Sequence, residues 1–449
     1  MSGRGEATVS EATMQSHDFL THFRERQKDL AGRGPQWLRR SRRDSLARFT
    51  DIGFPTTRQE EWRNTNVSPI AGTAFRPAGD GPQLGAALPE PARIELDGPR
   101  AVFVDGRFAP GLSRLDGLPD GVWVGGLADA LQTIPDRLER HLTRADPGDS
   151  PAFRALNSAL SEDGGVVWIP DGQRIEAPVQ LVFVTTIGEA DSAAKASHPR
   201  TLVVAGEASR ATILESYAGT NDGVYLTNAV TELNLAQGAV LDHYRVQLES
   251  ELAYHISTVE SRQGAGSRYS GCHVNLGGKL VRNEVRAVLA GAGGNCSLDG
   301  LYVTRGNQHL DNHTVLDHAE PHCDSREVFK GVLGGSSRTV FSGRIIVRPG
   351  AQRTDAKQSN PNLVLSADAL AQTRPQLEIY ADDVKCTHGA TVGRLDEDAI
   401  FYLRSRGVSA DEARNLLIGA FAGEILERIR VEPLRRSLEA TIGKRLTEI

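Results

Sequence analysis

The sequence predicts a mainly β fold, in which a solenoid of stacked β coils lies between helical segments at the two ends of the chain. From Gly165 to about Val384, short runs of β-branched residues follow one another for about 220 residues without an amphipathic helix. Glycine-containing turns recur in this stretch at separations of 26 to 32 residues, beginning at Gly206, Gly238, Gly264 and Gly291. This period is typical of repeat architectures, and the stretch is long for a single sandwich. Before and after it, apolar residues recur at helical spacing.

The composition restricts the class of protein. The chain has 449 residues, 39% of them hydrophobic, which is enough for ordered cores. Its formal net charge of −6 gives no bulk attraction to nucleic acid or to anionic lipid, so we expect neither as a partner. The N-terminus lacks the apolar core of a signal peptide. Four cysteines without a CxxC pair are typical of free thiols in a reducing compartment, and we expect a soluble cytoplasmic protein.

The first part of the chain predicts helices over Ser16–Leu30 and Pro35–Phe49, followed by a Gly/Pro-rich linker. We assign residues 1–90 to an N-terminal helical region with its linker, and 91–165 to a mixed strand and helix connection. The second helix carries a dense basic cluster. Its members are Arg39, Arg40, Arg42 and Arg43. No aromatic residues interleave with them, which favours a solvated helix face over a nucleic-acid site.

Residues 166–392 form the predicted β-helix core, and 393–449 a C-terminal helical domain. A helix from Asp396 to Arg406 is acidic at its start and basic at its end, in accord with the helix dipole. Ser409 and Glu412 then form a capping-box sequence that opens a further helix. Its predicted apolar face consists of Ala413, Leu416, Leu417, Ala420, Phe421 and Ile425. Such helices either cap a solenoid or present a surface to a partner protein, and the composition leaves both open.

Several catalytic motifs are absent from the sequence. Gly278–Lys279 is followed by Leu and Gly443–Lys444 by Arg, so neither completes the GxxxxGK[ST] phosphate loop. There is also no HExxH, no GxSxG and no GxGxxG that opens a helix. We therefore expect no nucleotide binding, hydrolysis or hydride transfer by this chain.

One cluster of ligand-type residues lies within fifteen residues of sequence. Its members are His309, Asp311, His313, Asp317, His318, His322 and Cys323. Side chains alternate between the two faces of a strand, so we expect His313 and Asp317 to share one face and His318 and His322 to share the other. The cluster therefore cannot converge on one point, which favours polar side chains on successive coils over a permanent metal site.

A second constellation is the pair Cys386 and His388, two positions apart and therefore on one face of an extended strand. A thiol beside an imidazole suits iron, and it also suits a nucleophile and its base; a free cysteine can equally be buried and inert. The adjacent Asp382 and Asp383 suggest an alternative function, a β-helix carbohydrate-active enzyme that uses paired carboxylates. The low aromatic content of 6% speaks against a sugar cleft.

The stretch that contains this pair, QLEIYADDVKCTHGATVG over 376–393, resembles the SufD branch of the SufB/SufD family. Residues 316–325, 329–333 and 340–343 resemble the core shared by that family, and 55–65 resembles its N-terminal region. The family belongs to the SUF machinery for iron–sulfur cluster assembly. The resemblance implies a right-handed parallel β-helix flanked by helical domains, in a non-catalytic subunit.

The resemblance also implies partners. A SufB-like paralogue would pair through the β-helix, and a SufC-like ATPase would bind the C-terminal helices, where we single out Phe401, Leu416, Leu417 and Phe421. The ATPase, not this chain, would bind ATP. The chain alone would hold no permanent cofactor and could form a homodimer.

The resemblance further implies that His388, with Cys386 in the same motif, is a transient ligand of a nascent cluster shared with the paralogue. SufB-like chains carry a scaffold cysteine in the segment that corresponds to Lys357–Leu365, and this chain has none between Cys323 and Cys386. This favours SufD over SufB. Since an iron–sulfur cluster normally takes four protein ligands, we do not expect this chain to hold one alone.

Overall fold

The computed structural model describes residues 19–78, 84–85, 87–142, 151–188 and 193–447. It confirms the mainly β prediction, with a parallel β-solenoid and helices at both ends. The strands, numbered in chain order, are β1 Arg76–Pro77, β2 Arg100–Val104, β3 Arg107–Phe108, β4 Trp123–Gly126, β5 Gly165–Ile169, β6 Val179–Thr185, β7 Lys195–Ser197, β8 Arg200–Ala205, β9 Arg210–Gly219, β10 Tyr225–Leu235, β11 Val240–Leu248, β12 Tyr254–Gln263, β13 Arg268–Asn275, β14 Leu280–Leu289, β15 Asn295–Thr304, β16 His309–His318, β17 Asp324–Leu333, β18 Arg338–Val347, β19 Asp355–Val364, β20 Leu370–Ile379 and β21 Lys385–Gly393.

Successive strands from β8 onward alternate between two sheets, so that each coil contributes one strand to each sheet. The eleven-stranded sheet runs β20-β18-β16-β14-β12-β10-β8-β5-β4, with β1 and β7 beside this path. The ten-stranded sheet runs β21-β19-β17-β15-β13-β11-β9-β6-β2-β3. From β8 onward, neighbouring strands of successive coils pair in parallel, and residues in register are 26 to 32 positions apart in sequence. The period predicted from the glycine turns is therefore the length of a coil.

The turn glycines are needed where successive coils stack at a corner. A Cβ on Gly291 would overlap the backbone nitrogen of Ala265 in the preceding coil, and one on Gly264 would lie 2.9 Å from the carbonyl carbon of Ala236. Any larger residue at these positions would push the coils apart. The recurring small residues thus mark the places where backbone meets backbone.

The helices are Arg24–Gly32, Gln36–Ile52, Ser68–Ala71, Leu127–Thr133, Pro135–Leu142, Pro151–Leu160, Glu397–Ser405, Ala410–Leu426 and Glu432–Leu446. Short 3₁₀ turns cover Glu60–Trp62, Glu90–Ala92 and Pro110–Leu112. Two predicted N-terminal helices are found, although the predicted start at Ser16 lies outside the described residues. No helix in the described part of the chain combines the length and apolarity that crossing a bilayer requires.

The N-terminal helices cover the outer face of the eleven-stranded sheet. Phe49, Trp62 and Phe153 are buried there against Tyr254 and Leu280 of the sheet. The basic cluster is not uniformly solvated, since Arg42 is buried. It donates to the carbonyl oxygens of Leu30, Arg33 and Ser161 at 3.0 to 3.2 Å. This arginine therefore fastens the two N-terminal helices to the helix Pro151–Leu160, a structural role that the sequence pattern did not predict.

The C-terminal helices cover the outer face of the ten-stranded sheet. Ile418, Ala422 and Ile425 pack against a patch that includes Val274 and Leu301. The predicted apolar face of the helix Ala410–Leu426 is thus partly wrong, because Ile418, Ala422 and Leu426 are buried and Leu416 and Ala420 are exposed. The helix is apolar on two sides, and the sequence did not show which side would meet the sheet. One apolar side is left uncovered in this chain.

Candidate functional site at the open end of the solenoid

The solenoid ends at β20 and β21, which have a single ladder partner each among the described strands. Their outer edges carry unpaired backbone groups. The N–H of Lys385 donates to the carbonyl oxygen of Thr354, the residue before β19, at 2.8 Å. Because N–H groups alternate between the two sides of a strand, those of Cys386 and His388 lie on the open edge. An edge of this kind is a template for a further strand.

The two edges differ in continuity. In β20, the N–H groups of Leu370 and, just beyond the strand, Tyr380 donate inward, to Ser337 and Val347. Residues of the opposite parity, among them Pro375, therefore point their nitrogen atoms outward. Proline has no N–H to donate, so the edge of β20 is interrupted at its middle. The edge of β21 contains no proline and is continuous.

Cys386 and His388 lie on the same face of β21, as their spacing predicts. They are in register with Ala356 and Gln358 of β19, whose side chains point into the solenoid. Cys386 is half-buried against the interior core, and burial raises the pKa of its thiol. His388 is exposed. The pair therefore lies at the mouth of the solenoid interior, where a thiol and an imidazole are both open to an approaching group.

Large apolar side chains surround this mouth. They are Leu370 and Ile379 of β20, Tyr380 beyond its end, and Val392 of β21, with exposed fractions of 40% to 62%. Ile379 is in register with Val347, which is buried in the interior core, whereas Leu370 is in register with the exposed Arg338 on the outer face. The interior core is therefore uncovered at Ile379 and at the half-buried Leu377, beside two potential ligand side chains.

Two buried polar residues lie beneath His388, and the sequence analysis did not single them out. Gln358 is in register with His388, and Glu327 of β17 is in register with Gln358. Gln358 Nε2 donates to Glu327 Oε2 at 2.6 Å. Burial raises the pKa of Glu327 to about 7. The alternation of β17 contained a signal, because Glu327 has the same parity as the inward-facing Phe329.

The cluster between His309 and Cys323 is divided as the alternation predicts. His309, Asp311 and His313 lie on the outer face of the eleven-stranded sheet, while His318 points inward and bonds Ser325 at 2.8 Å. The prediction that His322 shares the face of His318 is wrong, because the strand ends at His318 and His322 lies exposed on the turn that follows. Cys323 is buried. In the described ranges, no three His, Cys, Asp or Glu side chains are arranged to hold a metal ion.

The outer group of this cluster is an ionic junction that also includes Arg282. Arg282 Nη1 lies 2.6 Å from Asp311 Oδ2 and donates to the backbone carbonyl of Glu61 at 2.8 Å. Its guanidinium stacks on the Trp62 ring at 4.1 Å. Although burial alone would raise the pKa of Asp311, the neighbouring Arg282 and His313 hold it well below its usual value. The junction joins Glu61 and Trp62, in the segment 55–65, to the eleven-stranded sheet.

The residues predicted to bind an ATPase are placed differently from one another. Phe401 is 73% exposed and Leu416 56% exposed, on neighbouring helices. Leu417 and Phe421 are half-buried. Phe421 lies under the Lys330 ammonium, 4.4 Å from the ring centroid, and its carbonyl oxygen accepts from Lys330 Nζ at 3.1 Å. Phe421 therefore also helps to dock the helix on the sheet.

The carboxylates of the alternative function lie on an exposed turn before β21. Asp383 is 3.8 Å from Arg353 and is 78% exposed. Asp382 is its exposed neighbour in sequence. In this position they form part of a solvated turn.

Comparison with known proteins places these features in a family. A family model described as the SufBD core domain of SUF system FeS cluster assembly matches residues 186–421, and the SufBD protein N-terminal region matches 13–181. The chain is 35% identical to an iron–sulfur cluster assembly SufBD family protein of Synechocystis, over 88% of both chains. It is 33% identical to the iron–sulfur cluster assembly protein SufD of Escherichia coli, over 89% of this chain and 91% of that one. It is 30% identical to the chloroplastic protein ABCI7 of Arabidopsis thaliana, over 94% and 89%.

Proposed function

This chain belongs to the SufBD family of iron–sulfur cluster assembly proteins, and from that membership we propose that it is the SufD-type scaffold subunit of a cytoplasmic assembly complex. In this role it is not itself a catalyst. It pairs with a SufB-like paralogue through the open end of its solenoid, and a SufC-like ATPase binds its C-terminal helices. The nascent cluster is cargo that the complex assembles and passes on.

The observation that carries the proposal is the continuous edge of β21 with Cys386 and His388 on it. An added strand would satisfy the free backbone groups of this edge. It would also cover the exposed side chains of Ile379, Tyr380 and Val392. A partner docked there comes into contact with the thiol and the imidazole.

Two protein ligands are too few for a [2Fe–2S] or [4Fe–4S] cluster, which normally takes four. The paralogue therefore supplies the remaining ligands, including the scaffold thiolate that this chain lacks. His388 suits temporary ligation, because an imidazole binds iron when neutral and releases it when protonated. Because its side chain is exposed, the imidazole can turn toward a cluster that the other chain holds.

The surface for the ATPase is the uncovered apolar side of the C-terminal helices. Phe401 and Leu416 expose most of their side chains there. Apolar side chains with this exposure gain free energy when a partner removes them from water. ATP would be bound by that partner, since this sequence has no phosphate loop.

The test is a comparison of His388→Ala with His22→Ala, a matched exchange at an exposed histidine in the N-terminal region. Each variant is co-expressed with the paralogue and the ATPase. We expect both to form the complex, and only His388→Ala to lose iron and sulfide incorporation. Full incorporation by His388→Ala would contradict the ligand role. If the wild-type chain elutes only as a homodimer in the presence of the paralogue, the pairing itself is wrong.

A further inference from the structure

We infer that Gln358 is a positioning residue for His388, whose side-chain carbonyl accepts a hydrogen bond from the imidazole nitrogen that does not bind iron. The inference rests on the proposed function and deepens it. A histidine that ligates a metal almost always donates its second ring N–H to a carbonyl or carboxylate, which fixes the tautomer and the ring orientation. Within the described part of the chain, the ring of His388 makes no such hydrogen bond.

The register places Gln358 correctly for this role. Its Cα is the ladder partner of His388, and adjacent strands are about 4.8 Å apart. Both side chains lie on the interior face. A glutamine side chain is long enough to bridge the distance between neighbouring strands.

The amide of Gln358 is oriented by Glu327. Gln358 Nε2 donates to Glu327 Oε2 at 2.6 Å, on the side of the preceding coil. The oxygen and the nitrogen of a planar amide point in different directions, so Oε1 does not face Glu327. The strand β21, which carries His388, lies on the side of β19 opposite to β17. Gln358 is only 3% exposed, and its Oε1 has no hydrogen-bond partner in the structure. A buried acceptor without a partner costs free energy, which a donor from His388 would recover.

Space for this amide is provided by Gly343 on β18, across the interior. A Cβ at position 343 would overlap Gln358 Nε2, and would also approach Gln358 Cδ to 2.8 Å. Any larger residue would displace the amide from its hydrogen bond to Glu327. Three residues on three strands therefore determine where the unpaired oxygen lies.

The protonation state of Glu327 affects the orientation of the Gln358 amide. Burial raises its pKa to about 7, so that the group is largely a carboxylate above that pH. A carboxylate can only accept, which keeps Nε2 of Gln358 directed toward it. When Glu327 is protonated, its O–H can donate to the amide oxygen and compete with His388. The polar groups that face it are Gln358 on β19 and the hydroxyl of Thr314 on β16, and the titratable groups close enough to interact with it are Asp299 and Cys296 of β15.

The experiment measures Co²⁺ binding to the complex of the full chain with its cysteine-bearing paralogue, from the visible absorption bands of the metal. We expect Gln358→Met, which keeps the volume and removes the acceptor, to weaken Co²⁺ binding at least tenfold. The matched control is Gln263→Met on β12. Gln263 is also buried with an unpartnered Oε1, but it is remote in sequence and coil from His388. We expect no change in Co²⁺ affinity there.

Two further variants keep the test decisive if Gln358→Met does not fold. Gly343→Ala should displace the Gln358 amide. Glu327→Gln should allow that amide to rotate, because a glutamine side chain can both donate and accept. Each variant should therefore weaken Co²⁺ binding and shift the absorption bands. Equal affinities for Gln358→Met and Gln263→Met would overturn the inference while leaving His388 a ligand. If His388→Ala itself binds Co²⁺ as tightly as the wild type, the ligand role in the proposed function falls, and this inference with it.

Discussion

The Nδ1 atom of His313 lies 3.2 Å from Oε2 of Glu61, so that a residue on β16 is joined to the segment between the N-terminal helices. The other ring nitrogen, Nε2, lies 3.1 Å from Asp311 Oδ1. Carboxylates at both nitrogens favour the doubly protonated imidazolium. Arg282 Nη1 lies 2.9 Å from His313 Nε2, and its positive charge lowers the pKa of the imidazole. The two carboxylates outweigh this effect, so that the pKa of His313 is raised.

This geometry predicts a pH-dependent contribution to stability. Burial alone would lower the pKa of His313, but Asp311 and Glu61 raise it. A group whose pKa is raised on folding stabilises fully below its unfolded pKa, and this stabilisation is lost as pH rises through the folded pKa. We expect His313→Asn to lower the free energy of unfolding by about 1 to 3 kcal/mol at pH 6, and by less at pH 9. Urea denaturation of the variant and the wild type at both pH values measures this difference in the free energy of unfolding.

The control for His313→Asn is His322→Asn, on an exposed turn where φ is 59° and asparagine is well tolerated. It should leave the free energy of unfolding unchanged at both pH values. An equal loss for His313→Asn at pH 6 and pH 9 would show that the imidazolium contributes nothing.

The raised pKa of Glu327 also predicts a stability that falls as pH rises, but here the cause is burial and not a charged partner. Burial raises its pKa from 4.5 to about 7, so the folded chain holds a proton that the unfolded chain releases between these values. Stability due to this group therefore falls as pH rises from about 4.5 to about 7. Glu327→Gln removes the step, and at pH 8 we expect a gain on the order of 3 kcal/mol over the wild type. Parallel denaturation curves for the two proteins at pH 5 and pH 8 decide it; an unchanged difference between them would refute the assignment.

The contacts of Lys330 predict that it stabilises the docking of the helix Ala410–Leu426 on the sheet. Its ammonium is buried between the ten-stranded sheet and the helix Ala410–Leu426, where it contacts Phe421 and Glu424. Lys330→Met leaves the Phe421 carbonyl without its donor, and we expect a loss of about 1 to 3 kcal/mol. Amide exchange of that helix should become faster. Lys357→Met, at a lysine 63% exposed, is the control and should change neither quantity.

Two positions on the same helix separate partner binding from folding. Leu416 is 56% exposed and Ile418 is 2% exposed. We expect Leu416→Asp to keep its melting temperature and lose the ATPase in a pull-down. Ile418→Asp should unfold the C-terminal region, since an unpaired carboxylate would be buried. If Leu416→Asp still retains the ATPase, the partner binds elsewhere.

The sequence predicted the solenoid because its signals are local. Gly264 and Gly291 had to be small where coils stack, and the alternation around Cys386 and His388 determined their common face. Contacts between coils were not predictable in the same way. Gln358 contacts Glu327 across 31 positions and is in register with His388 across 30. Coil lengths from β8 onward vary from 26 to 32, so the spacing alone does not give the register. The burial of Arg42 was similarly unpredictable, because one of its partners, the carbonyl of Ser161, lies 119 positions away in sequence.

The two ends of the solenoid are unlike, and this limits how many chains can join. At the first end, β3 and β4 pair antiparallel with their neighbours and are only two and four residues long. Short antiparallel strands of this kind make a poor template for growth. Among the described strands, the long open edge lies at the other end alone, so a chain that docks there would find no matching edge for head-to-tail propagation. Association at the open end would therefore give a closed pair and not a fibre.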